Sequence, residues 1–319
     1  RFFGWVIGAT EPAGVAADWL TSAWGQNAGN AYATPSAVAV EAVSAKWLLD
    51  ILHLPPTASV GFVTGATMAN FTCLAAARGE VLRRVGWDVE GQGLFGAPPI
   101  HVVLGDEAHS TVFSGLRYLG LGAARVVRVA ADDQGRMRAD AFAEAMRPLQ
   151  GPIIVIAQAG HINSGAFDPI ADIIPIAREK GAWVHVDGAF GLWARAAPDR
   201  AHLAQGFELA DSWGTDGHKW LQTPHDCGYA IVRNAEAHQR AMGISASYLP
   251  SGDERHPYEY APELSRRARG FTTWAIIKTL GREGIAAMVS RDCAWVRRFA
   301  ALLGADPTVE ILNEVVLNQ

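Results

Sequence analysis

The stretch that decides the fold is residues 183–191, which read Trp-Val-His-Val-Asp-Gly-Ala-Phe-Gly. Three of the first four residues are apolar, two of them β-branched valines, and the run predicts a buried strand. A carboxylate, Asp187, follows the strand directly, and small residues come after it. Burying a carboxylate is costly unless a cation or a hydrogen-bond donor meets it. Asp187 is therefore either the partner of a cationic ligand group or an ordinary helix cap or buried acceptor.

Short apolar runs and amphipathic stretches alternate on both sides of this strand. Further strands are predicted at residues 60–63, 101–104, 125–129, 152–157, 212–213 and 229–232. Helices are predicted at residues 68–85, 109–119, 139–149 and 170–180, with Thr67 placed to cap the first. Nearly continuous apolar strands are typical of a mostly parallel sheet that is covered on both faces. The alternation predicts an α/β doubly wound architecture.

We expect three parts in the chain. An N-terminal segment of residues 1–50 precedes a large ligand-binding domain of residues 51–268. The polar stretch 245–268 predicts a long loop, and such a loop in a compact domain is usually functional. Residues 269–319 are expected to hold connecting helices, with 270–301 helical, and the start of a small α/β domain. The chain starts at Arg1 without Met and stops within an expected strand at 314–319, so we expect a fragment of a longer protein.

Composition excludes several classes of protein. Charged residues make up 18% of the chain, the net charge is −5 and there is no basic stripe, which argues against a nucleic-acid partner. No apolar run is long enough to cross a bilayer, and no signal peptide is visible, so we expect a cytoplasmic protein without a membrane partner. The three cysteines lack metal-site spacing and are expected to be buried, reduced thiols.

Polar segments follow three other predicted strands: residues 64–67, 106–109 and 216–219. Because the carboxyl ends of parallel strands meet at one edge of a sheet, these segments predict a composite pocket. Small residues at 64–67 precede a helix, where free N–H groups and the helix dipole suit a phosphate, although tight strand–helix turns also need small residues. Lys219 has apolar neighbours that would favour the neutral amine of Schiff-base chemistry, although most lysines lie on the surface. His109 is either structural or placed to lie on a ligand ring.

Together these motifs resemble the group II pyridoxal-phosphate (PLP) decarboxylases, a family that includes aromatic-amino-acid, histidine and glutamate decarboxylases. The similarity runs from Phe2 to about Gly284, and Asp187 stands 32 residues before Lys219. It implies that the N-terminal segment of residues 1–50 lines the active site. The resemblance implies the aspartate-aminotransferase fold (fold type I), with a sheet of seven strands between helices and a truncated small C-terminal α/β domain.

The resemblance also implies roles for individual residues. Lys219 would hold the cofactor as an internal aldimine, Asp187 would pair with the pyridine nitrogen, and His109 would stack on the ring. Contacts with the cofactor are implied for Gly65, Ala66, Thr67, Ala189, Asp216 and His218. Asp216 stands where some relatives have Asn, and an acid there would repel the phosphate unless it is turned away or paired.

The substrate is not implied by the resemblance. Relatives for aromatic substrates carry a Thr near the position of Gly8, which is absent here. Trp5, Tyr32 and Tyr258 are candidate pocket walls. Decarboxylating relatives supply a Tyr from a mobile loop that resembles the stretch after Tyr248, and of Tyr258 and Tyr260 we favour Tyr260 as that catalytic residue.

The activity implied is decarboxylation of an L-amino acid to an amine and CO₂. Aldehyde synthase, carbon–carbon lyase of the sphingosine-phosphate type and aminotransferase activities remain open, and a non-catalytic scaffold is a remote alternative. The resemblance further implies a homodimer with shared active sites, in which Ser265 or its neighbours reach the partner's cofactor phosphate.

Overall fold

A computed structural model describes residues 4–247, 249 and 254–319 of the chain. The predictions that concern residues 1–3, including the start of the family resemblance at Phe2, and those at Tyr248, Pro250 and residues 251–253 fall outside the described residues. Within them the fold is a seven-stranded sheet between helices, in the strand order β1-β7-β6-β5-β4-β2-β3. The strands are β1 Ser59–Val63, β2 His101–Gly105, β3 Val127–Val129, β4 Ile153–Gln158, β5 Trp183–Asp187, β6 Ser212–Asp216 and β7 Gly228–Val232.

The direction of the strands places the predicted site at one edge. Strand β7 pairs antiparallel with both β1 and β6, so β1 runs in the same direction as β6. Strands β2 to β6 are joined by parallel pairings. Six strands therefore share one direction, and the polar residues after β1, β2, β5 and β6 meet at their common carboxyl edge.

Helices cover both faces of the sheet. They are α1 Pro12–Trp24, α2 Pro35–Ile51, α3 Ala66–Arg83, α4 Val89–Gln92, α5 Ser110–Tyr118, α6 Ala139–Met146, α7 Ile170–Glu179, α8 Ala235–Met242 and α9 Gly270–Leu303. Alternate strand residues enter two separate cores: Val184 and Val186 of β5 pack with α2, α7 and α9, whereas Trp183 packs with α3 and α5. Burial on both faces explains why the strands are nearly continuous in apolar residues, and it confirms the predicted α/β architecture.

The structure corrects several boundaries. Thr67 does not cap α3, because the helix begins at Ala66 and Gly65 occupies the N-cap position. Strand β3 begins at Val127, since Ala123–Arg125 forms a 3₁₀ turn. Residues 304–319 form no strand, so the strand expected at 314–319 is wrong; Leu317 instead packs into the main core. Helices α1, α2, α4 and α8 were not predicted from the sequence.

Residues 269–319 do not have a core of their own in the described structure. Helix α9 extends over the predicted 270–301 with a break at Gly281, and it packs against α1 and α2. Ile276, Ile285 and Val289 of this helix belong to the same core as the sheet. A separate small domain that starts in this part of the chain therefore stays a prediction. None of the helices in the described ranges has the length and apolar character that crossing a bilayer requires.

A buried ion pair between Arg266 and Glu41 connects the predicted long loop to helix α2. Within 245–268 the described residues form the short 3₁₀ turn Pro257–Glu259 and an isolated β-bridge between Arg267 and Asn27. Arg266 Nη1 lies 2.7 Å from Glu41 Oε1, and both side chains are about 1% exposed. The same guanidinium donates to the carbonyls of Phe62 in β1 and Ala28. Arg266 thus joins the loop, α2 and β1.

Replacing Glu41 by alanine is expected to lower the free energy of unfolding by about 3–5 kcal/mol, because it leaves the Arg266 cation buried without its partner. Urea unfolding followed by circular dichroism measures this loss. The matched control is Asp140→Ala, which removes the exposed partner of Arg138 and should leave the unfolding midpoint nearly unchanged. Equal midpoints for the Glu41 variant and the unmodified protein would show that the ion pair does not stabilise the fold.

Candidate active site

A cavity of about 540 Å³ opens at the carboxyl edge of the sheet. Its volume lies within the range of pockets that hold small molecules and cofactors. The predicted site residues that line it are Trp5, Gly65, Ala66, Thr67, His109, Asp187, Ala189, Asp216, His218 and Lys219. Four chain segments that are far apart in sequence therefore converge as the topology rule predicts.

Lys219 is held by a carboxylate. Its Nζ lies 2.9 Å from Asp216 Oδ2, and 5.9 Å from the centre of the Phe190 ring. The side chain is only 20% exposed. The sequence predicted apolar surroundings for this amine, but the structure gives it an anionic partner three residues earlier in the chain.

Asp216, the last residue of β6, also caps the start of helix α3. Its Oδ1 accepts a hydrogen bond of 2.5 Å from the backbone N–H of Ala66 and lies 3.3 Å from His218 Nε2. Gly65, the N-cap residue, has no side chain for this purpose. The acid is therefore paired, which answers the question that the sequence left open about this position.

Asp187 ends β5 and is 4% exposed. Its Oδ1 accepts a hydrogen bond of 3.3 Å from the N–H of Ala189. Burial raises the pKa of this carboxyl group, while the nearby charges of His109 and Lys219 oppose the rise. A buried acid with few donors can accept a cationic ligand nitrogen, which would stabilise the carboxylate.

His109 is fixed at the start of helix α5. It is the N-cap residue, and its Nδ1 lies 2.7 Å from Thr111 Oγ1. Its backbone N–H donates a 3.2 Å hydrogen bond to Gln158 Oε1. These contacts position His109, which lines the cavity. Gln158 was not predicted, although it ends β4 at the same carboxyl edge and the rule that found Asp187 would have found it.

His218 is held by contacts at one ring nitrogen and on one face of its ring. Its Nδ1 accepts a hydrogen bond from the N–H of Cys227, and it stacks on His225 with ring centres 4.2 Å apart. Burial lowers the pKa of the imidazole below its ordinary value. A neutral ring so oriented can present its Nε2 to Asp216 or to a ligand oxygen.

Comparison with known proteins assigns the chain. A family model described as the pyridoxal-dependent decarboxylase conserved domain matches residues 1–319. This protein belongs to that family. The aromatic-L-amino-acid decarboxylase of Bacillus atrophaeus is 27% identical over 99% of this chain and 66% of its own length, and that of Bos taurus is 30% identical over 99% and 68%.

Solved structures agree with the family assignment. Oryza sativa TDC with PLP and tryptamine superposes with a TM-score of 0.88 at 26% identity, over 96% of this chain and 65% of that one. Mouse CSAD, at 23% identity, shares the fold with a TM-score of 0.89. The chain spans less than two thirds of the Bacillus and rice proteins. The fold type I assignment is confirmed, and the cofactor of the family is pyridoxal phosphate.

The residues of the pyridoxal-dependent decarboxylase domain fit that cofactor. Lys219, Asp187 and His109 supply the amine, the buried acid and the flat ring around one cavity. The start of α3 is open only because residue 65 is glycine: a Cβ there would lie 2.9 Å from His218 Cε1 and 3.1 Å from Asp216 Oδ1. Asp216 accepts the backbone N–H of Ala66 at the start of this helix.

The predicted tyrosines lie elsewhere in the described structure. Tyr32 and Tyr258 both stack on His256, and Tyr32 is 67% exposed. Tyr260 packs edge-on against His238, and its hydroxyl accepts a hydrogen bond from Gln239 Nε2. None of the three lines the cavity, because aromatic packing holds them against other parts of the chain. The catalytic role of Tyr260 and the pocket roles of Tyr32 and Tyr258 therefore stay predictions.

The remaining histidines of the sequence have structural roles where contacts define them. His185 is fully buried in β5, with Nδ1 at 2.9 Å from Ser212 Oγ and Nε2 at 3.0 Å from Asn70 Oδ1. Burial lowers its pKa to about 3. His161 lies beside Ser164, and His225 supports the ring of His218.

His185 makes stability depend on pH. Between pH 6.5 and about 3 the unfolded chain binds a proton at His185 that the folded protein excludes, so stability is lost as the pH falls. We expect His185 to contribute up to about 1.4 kcal/mol per pH unit in that range. Urea unfolding of the protein and of His185→Gln from pH 7.5 to 4.5 isolates this term, because other groups cancel in the difference. Parallel pH profiles of the two proteins would refute it.

Proposed function

We propose that this protein converts an L-amino acid to its amine and CO₂, with pyridoxal phosphate held covalently on Lys219. The observation that carries the proposal is the meeting of Lys219, Asp187 and His109 around one cavity. The names of the relatives, aromatic-L-amino-acid and tryptophan decarboxylases, support the same reaction.

Each residue of the site has a physical task in this reaction. When bound, the cofactor supplies a protonated ring that withdraws electrons from the substrate Cα as CO₂ leaves. Asp187 keeps the ring nitrogen protonated, and the pairing is stronger because the acid is almost fully buried. His109 supports the ring face, and Ala189 leaves space on the wall beside it. Lys219 provides the amine that holds the cofactor and a group that can carry a proton.

The phosphate group has a set of candidate contacts at the start of α3. Gly65 and Ala66 offer backbone N–H groups at the positive end of the helix dipole. Thr67 adds a hydroxyl in the first turn, and His218 a neutral imidazole. These groups bind and orient the phosphate without themselves taking part in bond breaking.

The wall beyond these residues is apolar. Trp5, Val6, Ile7, Ile162 and Phe190 line it. Lys219 is the sole Lys or Arg among the lining residues of the described chain, so an acidic side chain would find no unpaired cation there. We therefore propose a substrate with an apolar or aromatic side chain. Gly8 allows the segment after Ile7 to pack closely against the backbone of His218, since a Cβ at residue 8 would lie 2.1 Å from the carbonyl oxygen of His218.

The homodimer and the cytoplasmic location remain parts of the proposal. Ser265 is exposed and its Oγ accepts a weak 3.5 Å hydrogen bond from Asn27, which leaves it accessible to a second chain. A shared site would also allow another subunit to provide the proton donor that Tyr258 and Tyr260 do not provide within one chain.

Aldehyde synthesis is the second candidate. Aldehyde synthases use the same site but let oxygen in, often with a changed loop Tyr, and neither Tyr258 nor Tyr260 lines the cavity of the described structure. A relative named 4-hydroxyphenylacetaldehyde synthase from Rhodiola rosea is 27% identical over 88% of this chain and 58% of its own length.

Product analysis separates these activities. The full-length, cofactor-loaded protein is offered each common amino acid while CO₂, ammonia and oxygen consumption are followed together. CO₂ without ammonia establishes the decarboxylase and names its substrate. CO₂ with ammonia and oxygen uptake establishes the aldehyde synthase. No CO₂ from any amino acid overturns the proposal in favour of a lyase, an aminotransferase or a scaffold.

A further inference from the structure

We infer that Asp216 is an internal competitor of the cofactor phosphate, which sets how tightly this chain holds its cofactor. The inference concerns binding alone and holds whichever reaction the site catalyses. Asp216 is 2% exposed at the end of β6. Its carboxylate is bound to three groups that belong to the cofactor site.

The first contact occupies a donor that a phosphate needs. Asp216 Oδ1 accepts the backbone N–H of Ala66 at 2.5 Å, in the first turn of α3. This N–H is one of the donors that an α-helix leaves free at its start. A phosphate oxygen and the carboxylate oxygen cannot both accept the N–H of Ala66 with full strength. Two anions that are close enough to share one donor also repel each other.

The other two contacts hold the cationic and imidazole groups of the site. Asp216 Oδ2 lies 2.9 Å from Lys219 Nζ, and Oδ1 lies 3.3 Å from His218 Nε2. Because the amine of Lys219 attaches the cofactor, a phosphate would share with Asp216 the backbone N–H of Ala66 and the imidazole of His218. Sharing these groups weakens phosphate affinity relative to a site in which a neutral residue stands at position 216.

The backbone of Asp216 keeps the carboxylate in this place. Its N–H donates to the carbonyl of Ala189, and its carbonyl accepts the Nε1–H of Trp193. Two polar backbone contacts and burial leave the side chain little freedom to turn away from the start of α3. The competition is therefore a property of the folded site.

Asp216→Asn removes the charge and keeps the shape and an acceptor oxygen for Ala66. Pyridoxine 5′-phosphate and pyridoxine are suitable probes, because neither has the aldehyde that would react with Lys219. Their dissociation constants are measured by calorimetry on the full-length protein after the cofactor has been removed. We expect Asp216→Asn to bind pyridoxine 5′-phosphate about tenfold more tightly, while the affinity for pyridoxine changes by less than about twofold.

The exposed Asp172→Asn on α7 is the matched control and should leave both constants unchanged. If Asp216→Asn fails to fold, as judged by circular dichroism, Asp216→Ser provides the same loss of charge. Phosphate-specific tightening supports the inference. Unchanged or weaker binding of pyridoxine 5′-phosphate overturns it. Equal tightening of both probes also overturns it, because the substitution would then act on Lys219 or on binding of the ring rather than on binding of the phosphate.

Discussion

Lys219→Ala is expected to reduce turnover by a factor of about 1,000 or more, and to remove the visible absorbance of the bound cofactor. The physical reason is the loss of two functions at once: the amine that attaches the cofactor and the group that carries protons near it. Lys219 is the lysine that lines the cavity of the described structure, and the amine is 2.9 Å from Asp216. Steady-state product formation and an absorbance spectrum of the purified variant measure the two losses.

Lys46→Ala is the control for this substitution. Lys46 is exposed on α2, and its removal should change neither the spectrum nor the rate. Circular dichroism shows whether each variant is folded. A Lys219→Ala protein that retains the spectrum of the unmodified enzyme would mean that another group holds the cofactor.

Asp187→Asn is expected to lower turnover by about 100-fold to 1,000-fold, the range typical of removing one preorganised electrostatic contact from a dry site. The amide keeps the shape of the side chain but not the negative charge that holds a proton on the ring nitrogen. Burial raises the pKa of Asp187, and the nearby charges of His109 and Lys219 oppose the rise; a cationic ring N–H facing the acid would favour its charged form further. Cofactor affinity should fall as well.

Two measurements separate the electrostatic role from a structural one. The spectrum of the bound cofactor should change in Asp187→Asn, because the protonation of its ring changes, whereas a merely structural residue would alter stability without this signature. Asp172→Asn again serves as the exposed control. A near-normal rate with an unchanged spectrum would remove Asp187 from the mechanism.

The sequence predicted the sheet and the main site because both depend on local patterns. Short, mostly apolar runs indicated six of the strands, and Ser212-Trp213 marked the seventh; Asp187 ends β5, and Lys219 lies three residues after the end of β6. The strand direction then places both residues at one edge. Thr67 was assigned as a cap because its hydroxyl type suits that position, yet the tertiary contact from Asp216 supplies the cap instead.

The remaining features depend on contacts across long sequence separations. The bond between Asp216 and Ala66 joins residues 150 positions apart, and nothing near Asp216 in the sequence indicates it. The position of Tyr260 in the predicted loop suggested that it was the catalytic tyrosine. Its contact with His238 depends on the position of α8, a helix that was not predicted from the sequence. Gln158 is the opposite case. It directly follows the strand predicted at 152–157, so its place at the carboxyl edge could have been predicted from the sequence, but it was not among the predicted site residues.

Borohydride trapping followed by peptide mass spectrometry tests the central claim most directly. The reductant fixes the cofactor to the amine that holds it in the full-length, loaded protein, and digestion locates the modified residue. The chain has four lysines, Lys46, Lys180, Lys219 and Lys278. We predict that the added mass of the reduced cofactor is found on the peptide that contains Lys219. Its appearance on another lysine, or on none, would contradict the assignment of this cavity as the cofactor site.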